Sequence, residues 1–109
     1  MRLSTGSMSE SEIEKAVCKH ATSKGVLVRK NEALTFKGRP DRIFHYKGYT
    51  WYIEFKAKTG KLSEPQKREI ARLTEQAICC HVIFDVDTGK SLIDYKLKMI
   101  DGWLDDSEN

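Results

Sequence analysis

Residues 41–55 place the strongest constraint on the fold, because they contain two β-prone segments separated only by Lys47-Gly48. The first segment covers 41–46, and the second, rich in aromatic and β-branched residues, covers 49–55. Two strands joined by so few residues are expected to pair antiparallel, and Lys47-Gly48 has the character of a hairpin turn. The sequence therefore predicts a β-hairpin in this part of the chain.

The flanking segments predict helices and further strands around this hairpin. Ser9 and Glu12 form a capping box ahead of apolar residues at helical spacing, and Ser63 with Pro65 marks the start of a second helix. The predicted elements are helices over 9–24, 63–76 and 91–104, strands over 26–30, 41–46, 49–55 and 81–86, and a turn over 87–90. The order α-β-β-β-α-β-α describes an α/β fold, in which a mixed β-sheet is flanked by helices and the last two strands run parallel.

Length and composition indicate one small globular domain. The chain has 109 residues, of which 39% are hydrophobic and 32% charged, a balance typical of soluble domains rather than disordered or membrane proteins. No apolar run reaches the roughly 20 residues that cross a bilayer, so we expect a cytoplasmic protein with no membrane contact. We expect an added leader and the native start within 1–8, a single domain over 9–104, and an acidic, frayed tail over 105–109.

The net charge and the cysteines limit the range of functions. A formal charge of +3 and a pI of about 8.8 permit a nucleic-acid partner without requiring one. Cys18, Cys79 and Cys80 lack the spacing of a disulfide framework or a zinc site, so we expect free thiols.

Two carboxylates frame the hairpin and predict a metal site. Asp41 follows a stiff Gly38-Arg39-Pro40 turn, and Glu54 lies near the end of the second strand. A hairpin brings the chain back, so that these two carboxylates can lie close together. Two carboxylates at that distance suit Mg²⁺, which completes its octahedron with water and phosphate oxygens.

Lys56 adds a cation to the same face of the sheet, because it lies two residues after Glu54 on a strand. A lysine beside a scissile phosphate can hold or deprotonate the attacking water and neutralise charge on phosphorus. Glu-x-Lys alone is common on solvated strands, and Gly-x-Pro-Asp alone is an ordinary turn. Their conjunction in one hairpin predicts a nuclease.

Three stretches resemble the VRR-Nuc family, a branch of the PD-(D/E)XK nucleases with stand-alone phage members. They are Lys-Gly-Arg-Pro-Asp-Arg-Ile over 37–43, Tyr-Ile-Glu-Phe-Lys-Ala over 52–57, and Gly-Lys-Leu-Ser-Glu-Pro-Gln over 60–66. The resemblance implies a restriction-endonuclease-like core and an endonuclease that depends on Mg²⁺ or Mn²⁺. In stand-alone members it further implies a homodimer that cleaves four-way (Holliday) DNA junctions, located in the bacterial host cytoplasm if the protein is phage-encoded.

The resemblance also implies roles for individual residues. Asp41 and Glu54 are expected to ligate the metal together with the Phe55 backbone carbonyl, and Lys56 to be the catalytic lysine. Gln66 is expected to act near the lysine and the phosphate, and the less favoured alternative is a polar residue in the first turn of a helix.

The family further places an acidic residue on the first helix. Glu14 is favoured as a catalytic residue and metal ligand, because it lies 11 residues before Gly25, the spacing found in related resolvases. Glu10, one turn earlier on nearly the same face, remains the main alternative.

Basic residues close to the site in sequence are candidates for a DNA track with salt-sensitive affinity. They are Arg29, Lys30, Lys37, Arg39, Arg42, Lys58, Lys61 and Lys67. Each could also be an ordinary surface cation. Because no module for base readout is apparent, recognition of DNA shape is expected rather than recognition of sequence.

Two alternative functions and one question about the C-terminal residues remain open from the sequence. The chain could be a nuclease of flaps or plain duplex DNA, or a DNA-binding module of the same fold without catalysis. The apolar C-terminal residues could cover the sheet or form a dimer contact; they are Met99, Ile100, Trp103 and Leu104.

Overall fold

The computed structural model describes residues 8–32 and 38–108, with side chains as far as 106. The elements are α1 (Glu10–Ser23), β1 (Leu27–Lys30), β2 (Arg42–Tyr46), β3 (Tyr49–Phe55), α2 (Glu64–Glu75), β4 (Cys80–Ile83) and α3 (Val86–Glu108). The predicted α/β class and the order α-β-β-β-α-β-α are confirmed. The leader assigned to the first seven residues and the DNA contact assigned to Lys37 lie outside the described residues, and the division into leader, domain and tail stays a prediction.

The four strands form one mixed sheet in the order β1-β2-β3-β4. β1 pairs antiparallel with β2 and β2 with β3, whereas β3 and β4 run parallel on either side of α2. Lys47 and Gly48 have φ values of 48° and 89°, and two consecutive positive φ angles are the mark of a type I′ hairpin turn. The predicted antiparallel hairpin is therefore present.

The core lies between one face of the sheet and the helices α1 and α3. Trp51, Ile53 and Phe55 alternate along β3 and are buried, and the Phe44 and Trp51 rings stack with their centroids 5.8 Å apart. Other buried core residues come from α1 and α3; they are Ile13, Val17, Ala21, Ile93, Leu97 and Ile100. Side chains alternate across a strand, so Glu54 projects to the opposite face, where α2 packs beside β4.

The helix α3 corrects the prediction of a turn over 87–90. The carboxylate of Asp85 accepts hydrogen bonds from the Thr88 amide at 2.7 Å and from its hydroxyl at 2.9 Å, so this segment caps a helix that starts at Val86. Gly89 lies within this helix, where the contact with α1 requires glycine, because a Cβ there would approach Val17 to 2.5 Å. β4 ends at Ile83, earlier than predicted, and α3 runs on to Glu108, beyond the predicted end at 104.

The C-terminal apolar residues divide between core and surface. Ile100 is buried and Leu104 packs against the core. Trp103 is 47% exposed, with its ring 5.4 Å from that of Tyr49 on the hairpin. Within the described ranges, no helix is both long and apolar enough to cross a bilayer.

Candidate metal centre

The register of the hairpin brings Asp41 and Glu54 together. The paired residues of β2 and β3 end at Arg42 opposite Ile53, so Asp41 and Glu54 are the next two residues across the strands. Oδ2 of Asp41 accepts a hydrogen bond from the Phe55 amide at 2.8 Å, which anchors this carboxylate at the end of β3. The separation of Asp41 and Glu54 in the sequence is therefore the one that places them opposite each other across this hairpin.

A third carboxylate comes from Glu10 in the first turn of α1. One oxygen each of Glu10, Asp41 and Glu54 lies within 4.8 Å of the others. Among the described residues, this group is the one set of acidic, histidine or cysteine ligand atoms that could hold a metal ion. The helix α1 therefore starts at the site, with its first acidic residue facing the hairpin.

Glu14, which the sequence favoured for this role, has a different partner. Arg42 donates a hydrogen bond from Nε to Glu14 Oε2 at 2.7 Å, and both side chains are largely shielded from solvent. Arg42 follows Asp41 on the strand and so projects to the opposite face, where α1 packs. The structure brings Glu10 rather than Glu14 into the carboxylate group, and sequence spacing alone could not distinguish two acids one helical turn apart.

Glu54 is the charged side chain most deeply buried among the described residues, with 2% exposure. Gln66 donates a hydrogen bond from Nε2 to Glu54 Oε2 at 2.9 Å, and Lys56 Nζ lies 3.7 Å from the same oxygen. Oε1 of Glu54 is also buried and has no hydrogen-bond partner among the described residues. An unpartnered buried carboxylate oxygen is costly, so its position beside two further carboxylates fits a hard divalent cation.

The electrostatics of the site favour a bound cation. Burial and the nearby charge of Asp41 raise the pKa of Glu54 to about 8, although Lys56 opposes this change. Burial also raises the pKa of Asp41, whereas the Phe55 amide acts to lower it. A cation beside Asp41 and Glu54 would oppose both increases, because it favours the ionised form of each carboxyl.

Gln66 is oriented by the cap of α2. The side-chain Oε1 of Gln66 accepts a hydrogen bond from the Ser63 backbone amide at 2.8 Å, and the backbone amide of Gln66 donates to Ser63 Oγ at 3.2 Å. The side-chain NH₂ group is thereby directed to Glu54. Gln66 is therefore a polar residue in the first turn of α2 that also contacts Glu54, while its role near the phosphate stays a prediction.

Gly38 brings the turn before Asp41 against the start of α2. It has a φ of +90°, and a Cβ at this position would lie 2.5 Å from the backbone carbonyl of Pro65. Residues with side chains rarely adopt this conformation, so both the backbone and the space require glycine here. The turn carrying Asp41 and the helix carrying Gln66 are consequently packed backbone to backbone.

The remaining predicted residues occupy varied positions. The Phe55 side chain is buried in the core and its amide binds Asp41, while metal binding by its carbonyl stays a prediction. Of the predicted DNA-track residues in the described ranges, five are exposed; these are Arg29, Lys30, Lys58, Lys61 and Lys67. Three lie beside protein partners; Arg39 binds Asn31, Arg42 binds Glu14, and Lys67 lies 3.4 Å from Glu64. DNA contact by these residues stays a prediction.

Asn31 is a residue near the site that the sequence did not single out. It follows β1 and forms hydrogen bonds with the turn that carries Asp41. A lone asparagine after a strand carries no motif, so no sequence signal distinguished it from an ordinary loop residue.

Comparisons with known proteins bear on the fold. No family model and no curated protein matches the sequence. A solved structure described as a VRR_NUC domain superposes with a TM-score of 0.71 at 25% identity, covering 78% of this chain and 94% of that one. Another, described as a VRR_NUC domain protein, gives a TM-score of 0.65 at 20% identity and covers 82% and 88%. The chain has the fold of these proteins, as the sequence resemblance predicted.

Proposed function

We propose that this chain is an endonuclease that depends on Mg²⁺ or Mn²⁺ and hydrolyses phosphodiester bonds in DNA. The observation that carries the proposal is Glu54, a buried carboxylate with an unpartnered oxygen, grouped with Asp41 and Glu10. Burial of a charge at this depth, with a raised pKa, is characteristic of functional sites. The similarity to VRR_NUC domain structures supports the same conclusion independently.

Glu10, Asp41 and Glu54 would hold the metal ion. Their oxygens are the hard donors that Mg²⁺ and Mn²⁺ prefer, and an ion at this place would satisfy the buried Glu54 oxygen. When bound, the ion supplies Lewis-acid polarisation of the phosphate and activation of water.

Lys56 and Gln66 complete the reaction site. The Lys56 ammonium, held beside Glu54, neutralises negative charge on the phosphate while a water oxygen attaches to phosphorus. The attacking water gives up one proton to solvent, the bond from phosphorus to the sugar oxygen breaks, and the leaving oxygen takes up a proton from solvent. Gln66 fixes Glu54 through the hydrogen bond to Oε2, which keeps the carboxylate in its orientation for the cation.

The test is cleavage of labelled synthetic DNA with Mg²⁺, comparing wild type with Asp41→Ala and Lys56→Ala. We expect both variants to lose at least about 100-fold in rate, the range found when one charge-stabilising group is removed. Asp106→Ala and Lys98→Ala are matched controls, because both residues are exposed on α3. Undiminished cutting by Asp41→Ala would contradict the proposal.

The proposed substrate is a four-way junction, cut by a homodimer, since resolving a junction needs two symmetric cuts. Tyr95 and Trp103 support self-association, because they are 62% and 47% exposed beside the Tyr49 ring on the hairpin. Light scattering should give a dimer, and Trp103→Asp should give a monomer. A wild-type monomer that cuts flaps or plain duplex faster than junctions would instead favour the flap or duplex nuclease.

A DNA-binding module without catalysis is separated from these nucleases by metal binding. The grouping of the buried Glu54 with Asp41 and Glu10 argues against it, because a site without a metal would keep three repelling acids at a cost in stability. A module of that kind should bind DNA with no Mn²⁺ affinity that depends on Asp41 or Glu54.

A further inference from the structure

Asn31, directly after β1, forms hydrogen bonds with three consecutive residues of the turn that leads into β2. Its amide donates to the Asp41 carbonyl at 3.1 Å, and its Nδ2 donates to the Pro40 carbonyl at 2.9 Å. Its Oδ1 accepts hydrogen bonds from Arg39, one of them from Nε at 3.2 Å. One asparagine thus holds both the backbone and a side chain of the turn.

These hydrogen bonds matter because Asp41 lies just beyond the last assigned pair of residues of β1 and β2. The assigned β1–β2 pairing ends at Lys30 opposite Arg42, and one more backbone hydrogen bond, from the Asn31 amide to the Asp41 carbonyl, continues it, so the paired backbones do not fix Pro40 or the residues before it. Proline has no amide hydrogen, so the carbonyl of Pro40 is its only backbone hydrogen-bonding group. The Asn31 side chain binds this carbonyl, and the peptide unit that it fixes is the one leading into Asp41.

The other side of the turn is held by packing. The Gly38 backbone lies against Pro65 at the start of α2, which restricts movement in that direction. Oδ2 of Asp41 in turn reaches the Phe55 amide at 2.8 Å, a geometry sensitive to small movements of the turn.

We infer that Asn31 is a positioning residue of the metal centre, and that its Nδ2–H···O bond to Pro40 sets where the Asp41 carboxylate lies. The inference rests on the proposed metal site, but it concerns a bond that also exists in the metal-free protein. Asn31 acts through the backbone, since its described hydrogen bonds reach Arg39, Pro40 and the Asp41 carbonyl rather than the grouped carboxylate oxygens.

The first test needs no metal and no activity. In metal-free protein, the Phe55 amide should be protected from hydrogen exchange by its bond to Asp41. We expect Asn31→Ala to shift the Phe55 amide resonance and to speed its exchange about fivefold or more, the factor for one ordinary hydrogen bond. Gln76→Ala, which removes an exposed amide at the end of α2, should leave both unchanged. Unchanged Phe55 exchange in Asn31→Ala would overturn the inference.

The second test is Mn²⁺ affinity by calorimetry, below the melting temperature of every variant. Asn31→Asp retains an acceptor for Arg39 but cannot donate to Pro40, and its extra negative charge should by itself attract Mn²⁺. We expect Asn31→Ala and Asn31→Asp each to bind Mn²⁺ about fivefold or more weakly than wild type. Wild-type affinity in either variant would overturn the inference, because a purely structural role would lower only the melting temperature.

The two proposals fail separately. A wild type that binds no Mn²⁺ contradicts the proposed function, while the Phe55 exchange of Asn31→Ala still decides the role of Asn31. If the wild type binds Mn²⁺ and Asn31→Ala binds it with the same affinity, only the positioning role is contradicted.

Discussion

Gln66 donates a hydrogen bond from Nε2 to Glu54 Oε2 at 2.9 Å, while its Oε1 accepts from the Ser63 amide at the start of the same helix. A single side-chain amide therefore caps α2 and fixes a buried carboxylate on the sheet face where α2 packs. The helix cap and the site are joined through the oxygen and the nitrogen of one terminal amide group.

The first prediction separates these two roles of Gln66. Glu is a preferred residue at the third position of a capping box, so Gln66→Glu should keep the cap of α2. It lacks the NH₂ donor and places a further carboxylate beside Glu54, so cleavage should fall about 100-fold. Gln66→Ala should lose both roles, with a lower melting temperature as well. Cleavage at the wild-type rate by Gln66→Glu, with α2 intact by circular dichroism, would refute the assigned contact.

The second prediction concerns the two acids of α1. Glu10→Gln should weaken Mn²⁺ binding about tenfold or more, because it removes one of three carboxylates from the group. Glu14→Gln should instead lower the free energy of unfolding by about 1 kcal/mol, the loss of its ion pair with Arg42. Calorimetry and denaturant unfolding measure the two effects. The reverse pattern would restore Glu14 as the ligand.

The third prediction is a dependence of metal-free stability on pH. The pKa of Glu54 is raised to about 8, so the folded protein binds more protons than the unfolded chain between its ordinary pKa and pH 8. The free energy of unfolding should therefore decrease with rising pH, on the order of 2 kcal/mol between pH 6.5 and 8.5. His81, whose pKa is lowered to about 4 by burial, acts in the opposite direction but only weakly here, because its ordinary value of 6.5 lies at the acidic end of this range.

Saturating Mg²⁺ should remove most of this decrease, because the cation replaces the proton among the carboxylates. Glu54→Gln should remove it without metal. A metal-free protein that gains stability from pH 6.5 to 8.5 would show that Glu54 is ionised in the folded state at neutral pH.

The fourth prediction compares two glycines with the same backbone conformation. Gly38 and Gly48 have φ values of +90° and +89°, but only at Gly38 would a Cβ meet the backbone of Pro65, at 2.5 Å. Gly48→Ala should cost about 1 kcal/mol of stability through backbone strain alone. Gly38→Ala should cost about 3 kcal/mol or more and also weaken Mn²⁺ binding, because α2 and the turn must separate. Equal costs in denaturant unfolding would contradict the close packing.

Local patterns were sufficient to predict the hairpin, the capped helices α1 and α2, and the approach of Asp41 to Glu54. These features depend on neighbours in sequence and on the alternation of side chains along a strand. The turn predicted at 87–90 failed because Asp85 and Gly89 suit a turn as well as a helix start, and the contact of Gly89 with Val17 is tertiary. The choice between Glu10 and Glu14 could not be predicted from the sequence for the same reason. It depends on how α1 packs over Arg42, which binds Glu14.

Glu54→Gln tests the central claim most directly, by measuring Mg²⁺-dependent cleavage of a four-way junction alongside metal-free stability. Glutamine removes a buried charge while keeping the size of the side chain, so the metal-free variant should be more stable than wild type above neutral pH. If Glu54 belongs to a metal site that cleaves DNA, the same variant should lose cleavage at least about 100-fold at every Mg²⁺ concentration. A variant that cuts at the wild-type rate would contradict the account.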